Sequence, residues 1–125
     1  MGSETGTSSL RVLLVDHDEH DRIAFRQTFN NSEVSCEIIE CCTSAEALEL
    51  IRSDSSGFDL AIIDHFIPGM TGMELCRNLL DSRVSFPLVM LTGKGSEQLA
   101  VEAIKAGVND YIIKDTAKGY LNFLP

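Results

Sequence analysis

The sequence predicts a three-layer α/β/α sandwich around a doubly wound, five-stranded parallel sheet. Two features of the 125-residue chain indicate this fold: short apolar runs alternate with longer amphipathic segments, and the short runs are apolar at consecutive positions. Strands of that kind are buried on both faces, which requires helices on both sides of the sheet. The length allows one domain with its own core, but not two.

Five short apolar runs are expected to be the strands. In chain order they are residues 10–15, 36–41, 59–63, 86–91 and 111–113. Pro87 stands near the start of the fourth run, where a residue without an N–H group is tolerated. Because helical segments separate the runs, each connection is a crossover, and the strands should be parallel.

The first two helices have clear sequence signals. The first is predicted over residues 19–30. Its inner face should consist of four apolar residues, Ile23, Ala24, Phe25 and Phe29. Thr43 and Glu46 have the spacing of a capping box, which predicts that the second helix begins there.

The third and fourth helices have their own start and stop signals. Thr71 and Glu74 form a second capping box, which opens the third helix. Ser96 can cap a fourth helix that runs to Ala106, and Gly107 is placed to end it.

The composition excludes several classes of function. Nineteen acidic and ten basic residues give a net charge of −9, which opposes binding to nucleic acid or to an anionic membrane. No apolar run approaches the ~20 residues that a membrane-spanning helix needs. The four cysteines lack zinc-ribbon spacing and are expected to be reduced thiols, which favours a cytoplasmic location.

Polar residues follow four of the five predicted strands. The carboxyl ends of parallel strands lie along one edge of the sheet, so these residues should meet there. They are Asp16, His17, Asp18 and Glu19 after the first strand, Asp64 and His65 after the third, Thr92, Gly93 and Lys94 after the fourth, and Lys114 and Asp115 after the fifth.

Four of these residues form a chemical set: Asp16, Asp64, Thr92 and Lys114. Two neighbouring carboxylates repel each other and need a cation between them, and hard oxygen ligands suit Mg²⁺. A carboxylate can also act as a nucleophile and form an acyl phosphate, whose oxygens a lysine and a hydroxyl can hold. The set therefore predicts metal-assisted phosphoryl chemistry rather than four unrelated helix caps.

Four segments carry a family resemblance: VLLVDHDEHDR, FDLAIIDHFIPGMTGMEL, LVMLTGKG and AGVNDYIIKD. In the second segment, an aspartate follows a buried strand, and Pro-Gly follows the aspartate four and five residues later. With these segments, residues 10 to about 115 resemble the flavodoxin-like receiver domains of two-component response regulators, such as chemotaxis regulators. The resemblance implies a signalling module that receives a phosphoryl group from a histidine kinase or phosphotransfer protein and then switches an output.

The resemblance also implies a metal site. Asp64 is similar to the family's phosphoacceptor, and Asp16 and the backbone carbonyl of Phe66 would join it as ligands of Mg²⁺, with Mn²⁺ as the alternative. The family places two adjacent acids after the first strand, but the second position here is His17, a poor ligand for Mg²⁺. Whether His17 or Asp18 takes part is left open.

The remaining roles concern the switch. By resemblance, Thr92 is the hydroxyl that swings toward the phosphoryl group, Lys114 pairs with that group, and Tyr111 is the aromatic ring that turns inward. The rim of the site would be formed by Gly93 and Lys94. The family usually has a proline after the lysine, whereas this chain has Asp115, so we expect a trans peptide bond or a strained turn there.

Two other functions compete with the first. With His17 in place of an acid, the chain could be a pseudo-receiver that acts by protein contact without phosphorylation. The pattern of a strand followed by Asp-x-Asp also fits haloacid-dehalogenase-like phosphatases, in which Asp16 would be the nucleophile and Asp18 the acid/base. Against the phosphatase, the chain leaves no room for a cap domain.

The expected organisation is simple. Residues 1–9 are polar and are predicted to be a flexible leader or a remnant of an expression vector, and residues 10–125 form the receiver domain. A last helix over residues 116–124 is expected to be cut short. The domain either stands alone or belongs to a hybrid kinase or larger regulator, and it is not itself an enzyme beyond slow hydrolysis of its own aspartyl phosphate.

Overall fold

The computed structural model describes residues 10–31, 35–54, 57–93 and 97–113. In these ranges, five strands alternate with four helices. The strands are β1 (Leu10–Val15), β2 (Cys36–Cys41), β3 (Leu60–Asp64), β4 (Leu88–Thr92) and β5 (Asp110–Ile113). The helices are α1 (Glu19–Asn30), α2 (Ser44–Asp54), α3 (Gly72–Asp81) and α4 (Glu97–Ala106). The predicted leader, the cap at Ser96 and the predicted last helix lie outside the described residues.

The sheet is parallel throughout and has the order β2-β1-β3-β4-β5, which confirms the predicted doubly wound, flavodoxin-like fold. The chain moves outward from β1 to β2 and then returns past β1 to β3, so the winding reverses between β1 and β3. Ligand sites of such sheets lie at the carboxyl ends of the strands beside that reversal. Here the carboxyl ends beside the reversal are those of β1 and β3, where Val15 pairs with Ile63.

Two apolar clusters cover the two faces of the sheet. Along β1, Leu13 and Val15 belong to the larger cluster, which also takes buried residues from α2, α3 and α4. Val12 and Leu14 point the other way, into the smaller cluster with the aromatic residues of α1. None of these four helices is long and apolar enough to cross a membrane.

One residue of the predicted inner face of α1 lies outside it. Phe25 and Phe29 are buried as predicted, but the side chain of Ile23 is 37% exposed. The inward positions are four residues apart and begin at Asp21, which is also buried. Because a helix turns by about 100° per residue, Ile23 falls on the opposite side from this row.

Two strands begin later than the sequence indicates. β3 begins at Leu60 and runs to Asp64 rather than ending at Ile63. At Asp59 the side-chain carboxylate accepts the backbone N–H of Arg11 at 2.9 Å, and the backbone N–H of Asp59 donates to the carbonyl of Arg11. β4 begins at Leu88 because Pro87 has no N–H to donate. As a result, two of the predicted site residues are the last residues of their strands.

The capping box predicted for α3 is present in full, and the one predicted for α2 is present in part. Thr71 accepts the backbone N–H of Glu74, whose carboxylate accepts the N–H of Thr71 in return. Thr43 likewise accepts the N–H of Glu46, but there the returning hydrogen bond comes from the N–H of Cys42. In both helices the threonine hydroxyl thereby satisfies an N–H group that a helix start leaves without a partner.

The four cysteines are free, and their reactivities should differ sharply. Burial raises the pKa of Cys41 and of Cys76 from 9.0 to about 12, and for Cys41 the charge of Glu46 adds to the effect. A pKa higher by 3 lowers the thiolate fraction near pH 8 about a thousandfold, and the thiolate is the reactive form.

We therefore expect iodoacetamide to label half-buried Cys42 in the folded chain well before Cys41 or Cys76, as read by peptide mass spectrometry. As the control, the three cysteines should be labelled at equal rates in urea. Equal rates in the folded chain would contradict the burial of Cys41 and Cys76.

Candidate functional site

Two buried carboxylates lie side by side at the switch point of the sheet. β1 and β3 are neighbouring strands, and Val15 is paired with Ile63. Asp16 and Asp64 are the next residues along, so they lie side by side. Adjacent strands are about 4.8 Å apart. Asp16 is fully buried and Asp64 is 6% exposed. The predicted pair is therefore brought together, in surroundings where repulsion between like charges is strong.

Each carboxylate also shapes the loop that follows it. Oδ1 of Asp16 accepts the N–H of Asp18 at 3.0 Å, and Oδ1 of Asp64 accepts the N–H of Phe66 at 3.3 Å. Such contacts two residues ahead turn the chain sharply after a strand. The end of β1 is further held by Arg22, whose Nη1 donates to the backbone carbonyl of Asp16 at 2.7 Å while its Nε donates to Glu40.

The hydroxyl of Thr92 is the third buried polar group at this edge. Thr92 ends β4, the strand next to β3, and it is fully buried. Among the described residues, its Oγ1 has no hydrogen-bond partner. A buried hydroxyl without a partner is unfavourable, so it needs an explanation. A bound ligand oxygen would explain it, and there is open space beside the neighbouring Gly93, where an added Cβ would meet no atom within 4 Å.

The two residues after Asp64 differ in burial. Phe66 is 65% exposed and contacts the ring of His65 edge-on, with the ring centroids 4.9 Å apart. Burial lowers the pKa of His65, although the charges of Asp64, Glu74 and Glu102 act in the opposite sense. The predicted metal site would use only the backbone carbonyl of Phe66, because a phenyl ring has no atom that binds Mg²⁺.

His17 and Asp18, whose part in the metal site was left open, do not share the buried position of Asp16. His17 is exposed, and the carboxylate of Asp18 accepts the N–H of His20 as the N-cap of α1. In the described ranges, no three side chains of His, Cys, Asp or Glu are arranged to hold a metal ion. A cation would thus be held by two carboxylates, a backbone carbonyl and water. That set of hard oxygens fits Mg²⁺, which commonly retains water ligands.

The remaining predicted residues lie farther along the sheet edge or outside the described ranges. Tyr111 lies on β5, beside Met90 of β4, and is 38% exposed. Lys94, Lys114 and Asp115 lie outside the described residues.

Sequence reasoning assigned no supporting role to two residues that hold the acceptor loop. Ser44, at the start of α2, is buried; its Oγ donates to the carbonyl of Pro68 at 3.2 Å and accepts the N–H of Met70 at 3.1 Å. It thereby clamps the loop between β3 and α3. Gly72 begins α3 against the backbone of the acceptor loop, where its N–H donates to the carbonyl of His65 at 2.8 Å. No sequence signal predicts the Ser44 contacts, because the partners are more than twenty residues apart.

The fold and the site together define a receiver-type signalling domain, and comparison with known proteins identifies the family. Residues 12–122 match the response regulator receiver domain. The chain is 36% identical over 104 residues to the regulatory protein VanR of Enterococcus faecium and 31% identical over 108 residues to the transcriptional regulatory protein ResD of Bacillus subtilis. The chain belongs to the response regulator receiver domain family.

The alignments cover 83% and 86% of this chain but only 43% of either relative, so the chain spans less than half their length. Solved structures share the fold. The phosphorylated cyanobacterial phytochrome response regulator RcpA has a TM-score of 0.81 at 23% identity, over 91% of this chain and 86% of that one. The Mn²⁺-bound form of response regulator Rcp1 has a TM-score of 0.80 at 20% identity, over 91% and 88%. Membership in a family of signalling modules does not favour the phosphatase alternative.

Proposed function

We propose that this receiver domain accepts a phosphoryl group on Asp64 from a histidine kinase or a phosphotransfer protein, and that the modification switches an output. The observation that carries the proposal is the buried pair of Asp64 and Asp16 beside the Thr92 hydroxyl, which has no partner among the described residues. A carboxylate oxygen of Asp64 attacks phosphorus, and the P–N bond of the donor phosphohistidine breaks. Its electron pair stays on the imidazole nitrogen, and the product is an aspartyl phosphate.

A divalent cation fits the same oxygens. Asp16, Asp64 and the carbonyl of Phe66 would hold Mg²⁺ or Mn²⁺, together with water. When bound, the cation offsets the repulsion between the carboxylates and the phosphoryl oxygens. The existence of a Mn²⁺-bound Rcp1 with this fold supports Mn²⁺ as the alternative.

The switch is assigned to Thr92, Lys114 and Tyr111. The Thr92 hydroxyl moves to a phosphoryl oxygen, Lys114 pairs with another, and the ring of Tyr111 turns inward; Gly93 and Lys94 form the rim. The strand register supports this assignment, because Thr92 pairs with Ile113 and alternate residues share a face, which puts Tyr111 on the same side of the sheet as Thr92. Phosphorylation then favours one of two conformations.

The proposal also covers partners and location. The net charge of −9 opposes direct contact with nucleic acid or an anionic membrane, so the output is carried by a protein partner or a further domain. Four free thiols suit the reducing cytoplasm.

Acetyl phosphate tests the proposal without a cognate kinase. With Mg²⁺ present, we expect a single phosphoryl adduct in the intact mass spectrum. The adduct should be removed by hydroxylamine, because an acyl phosphate reacts with this nucleophile, and it should be absent when the metal is chelated. If no adduct forms at saturating Mg²⁺, the pseudo-receiver is the correct function instead.

Replacing His17 by aspartate should tighten Mg²⁺ binding roughly tenfold, because a carboxylate then stands next to Asp16 in place of an imidazole that Mg²⁺ disfavours. Calorimetric titration of the unphosphorylated chain measures the change. His20→Asp is the matched control, since His20 is also exposed and lies in the first turn of α1. Equal affinities for His17→Asp and wild type, or an equal gain with His20→Asp, would show that residue 17 does not reach the cation.

A further inference from the structure

A cavity of about 410 Å³ lies between α2 and α3, away from the phosphoacceptor. It is placed at the C-terminal ends of both helices, where the chain turns toward the starts of β3 and β4. Asp64 stands at the other end of β3, and five strand residues at about 3.3 Å each separate the two edges by about 16 Å. A ligand in this cavity, which we name the α2–α3 groove, would leave the acceptor edge open.

The floor of the α2–α3 groove is apolar. It is formed by Leu48 and Ile51 from α2 and by Leu79 and Val84 from the end of α3. Ile51 and Leu79 are buried in the larger core cluster, and Leu48 and Val84 are partly buried against it. The groove therefore offers an apolar part of the core surface, able to take an apolar side chain.

The charged residues of the groove are both positive. Arg52 and Arg83 line it, and no acidic residue does among the described residues. Both arginines are exposed and make no ion pair with any described residue. Three other arginines, in contrast, pair with carboxylates: Arg11 with Glu37, and Arg22 and Arg26 with Glu40. On a chain with a net charge of −9, two unpaired cations on one groove attract acidic groups locally.

Arg83 is held in a conformation that arginine disfavours. Its φ of 57° is the only positive value at a non-glycine residue in the described ranges. It occupies the position after the cap of α3, where Val84 N–H donates to the carbonyl of Leu79 and Arg83 N–H donates to that of Leu80. Glycine is the usual residue there. An arginine kept at this position despite the backbone cost indicates a use for its side chain.

We propose that the α2–α3 groove binds an acidic segment of a partner protein that carries one apolar residue. The apolar side chain lies on the floor, and flanking carboxylates pair with the guanidinium groups of Arg52 and Arg83, whose planar forks match carboxylates. Asn78, Ser82 and Ser85 line the groove as well and supply hydrogen-bonding side chains for a peptide backbone. The interaction does not depend on phosphorylation of Asp64.

A defined peptide tests the groove. The probe is the acetylated and amidated pentapeptide Glu-Asp-Leu-Glu-Glu, titrated into the nitrogen-15-labelled chain and followed by amide chemical shifts. We expect shifts confined to residues 48–52 and 78–85. The single variants Arg52→Gln and Arg83→Gln should each weaken binding, and the double variant should bind roughly tenfold more weakly than wild type. Arg77→Gln, which removes one positive charge as each single variant does but lies on α3 outside the groove, should bind like wild type.

Two further measurements separate binding from folding and from simple anion attraction. Arg83→Gly removes the side chain and also the backbone cost of the positive φ. It should therefore raise the melting temperature and weaken peptide binding. The peptide with alanine in place of leucine should bind less tightly than the original. Shifts spread over the whole surface, equal weakening by Arg77→Gln, or the same shifts from sulfate alone would each overturn the proposal.

Discussion

Asparagine in place of Asp64 is expected to abolish phosphorylation of the chain by acetyl phosphate. The carboxylate is the nucleophile of the proposed reaction, and an amide of the same shape lacks its charge and nucleophilicity. We expect the phosphoryl adduct to fall below detection in the intact mass spectrum. Because Asp64 is 6% exposed and asparagine has nearly the same volume, the packing of the site should survive.

The control for this substitution is Asp59→Asn, which removes the same charge from the same segment. Asp59 is exposed and accepts the N–H of Arg11, away from the site, so this variant should be phosphorylated like wild type. Asp16→Asn tests the phosphatase alternative. Labelling that disappears in Asp16→Asn but persists in Asp64→Asn would make Asp16 the nucleophile, as in a phosphatase.

Alanine in place of Gly72 is expected to destabilise the fold by about 3 kcal/mol, which corresponds to roughly 10 °C in melting temperature. A Cβ at this position would lie against the backbone carbonyl of Asp64 and only 2.6 Å from the Cα of His65. These are main-chain atoms that no rotamer change can move. α3 would have to withdraw from the end of β3, and the hydrogen bond from Gly72 to His65 would be strained.

Gly93→Ala is the matched control for Gly72→Ala. An added Cβ at Gly93 meets nothing within 4 Å, so its melting temperature should match that of wild type within about 2 °C. Thermal unfolding followed by circular dichroism measures both variants. A Gly72→Ala protein as stable as Gly93→Ala would mean that α3 does not approach the acceptor loop this closely.

Much of the fold could be predicted because its signals are local. The limits of α1, the capping box at Thr71 and the stop at Gly107, whose φ is +115°, depend on residues within a turn of one another. The convergence of Asp16, Asp64 and Thr92 followed from a rule about parallel sheets rather than from any contact. It needed only the ends of three strands, and the errors of one residue at the start of β3 and of two residues at the start of β4 did not alter it.

The unpredicted features depend on contacts between distant parts of the chain. Asp21 takes an inward position on α1 that an apolar residue was expected to occupy, so hydrophobicity alone misplaced Ile23. Ser44 meets Pro68 and Met70 only after α2 and the loop before α3 have packed. The α2–α3 groove likewise exists only once two helix ends are brought side by side. No periodicity or spacing in the sequence predicts such long-range contacts.

The central place of β1 has a consequence for how the chain is made. β1 is synthesised first, yet Val12 pairs with Leu60, which leaves the ribosome much later. Since each pairing between the five described strands is closed by a crossover and none by a hairpin, the sheet consists of long-range pairings, and the chain should fold more slowly than a helical bundle of this size. A nascent chain that stops short of β3 exposes one edge of β1, which is when chaperones or aggregation would compete for it.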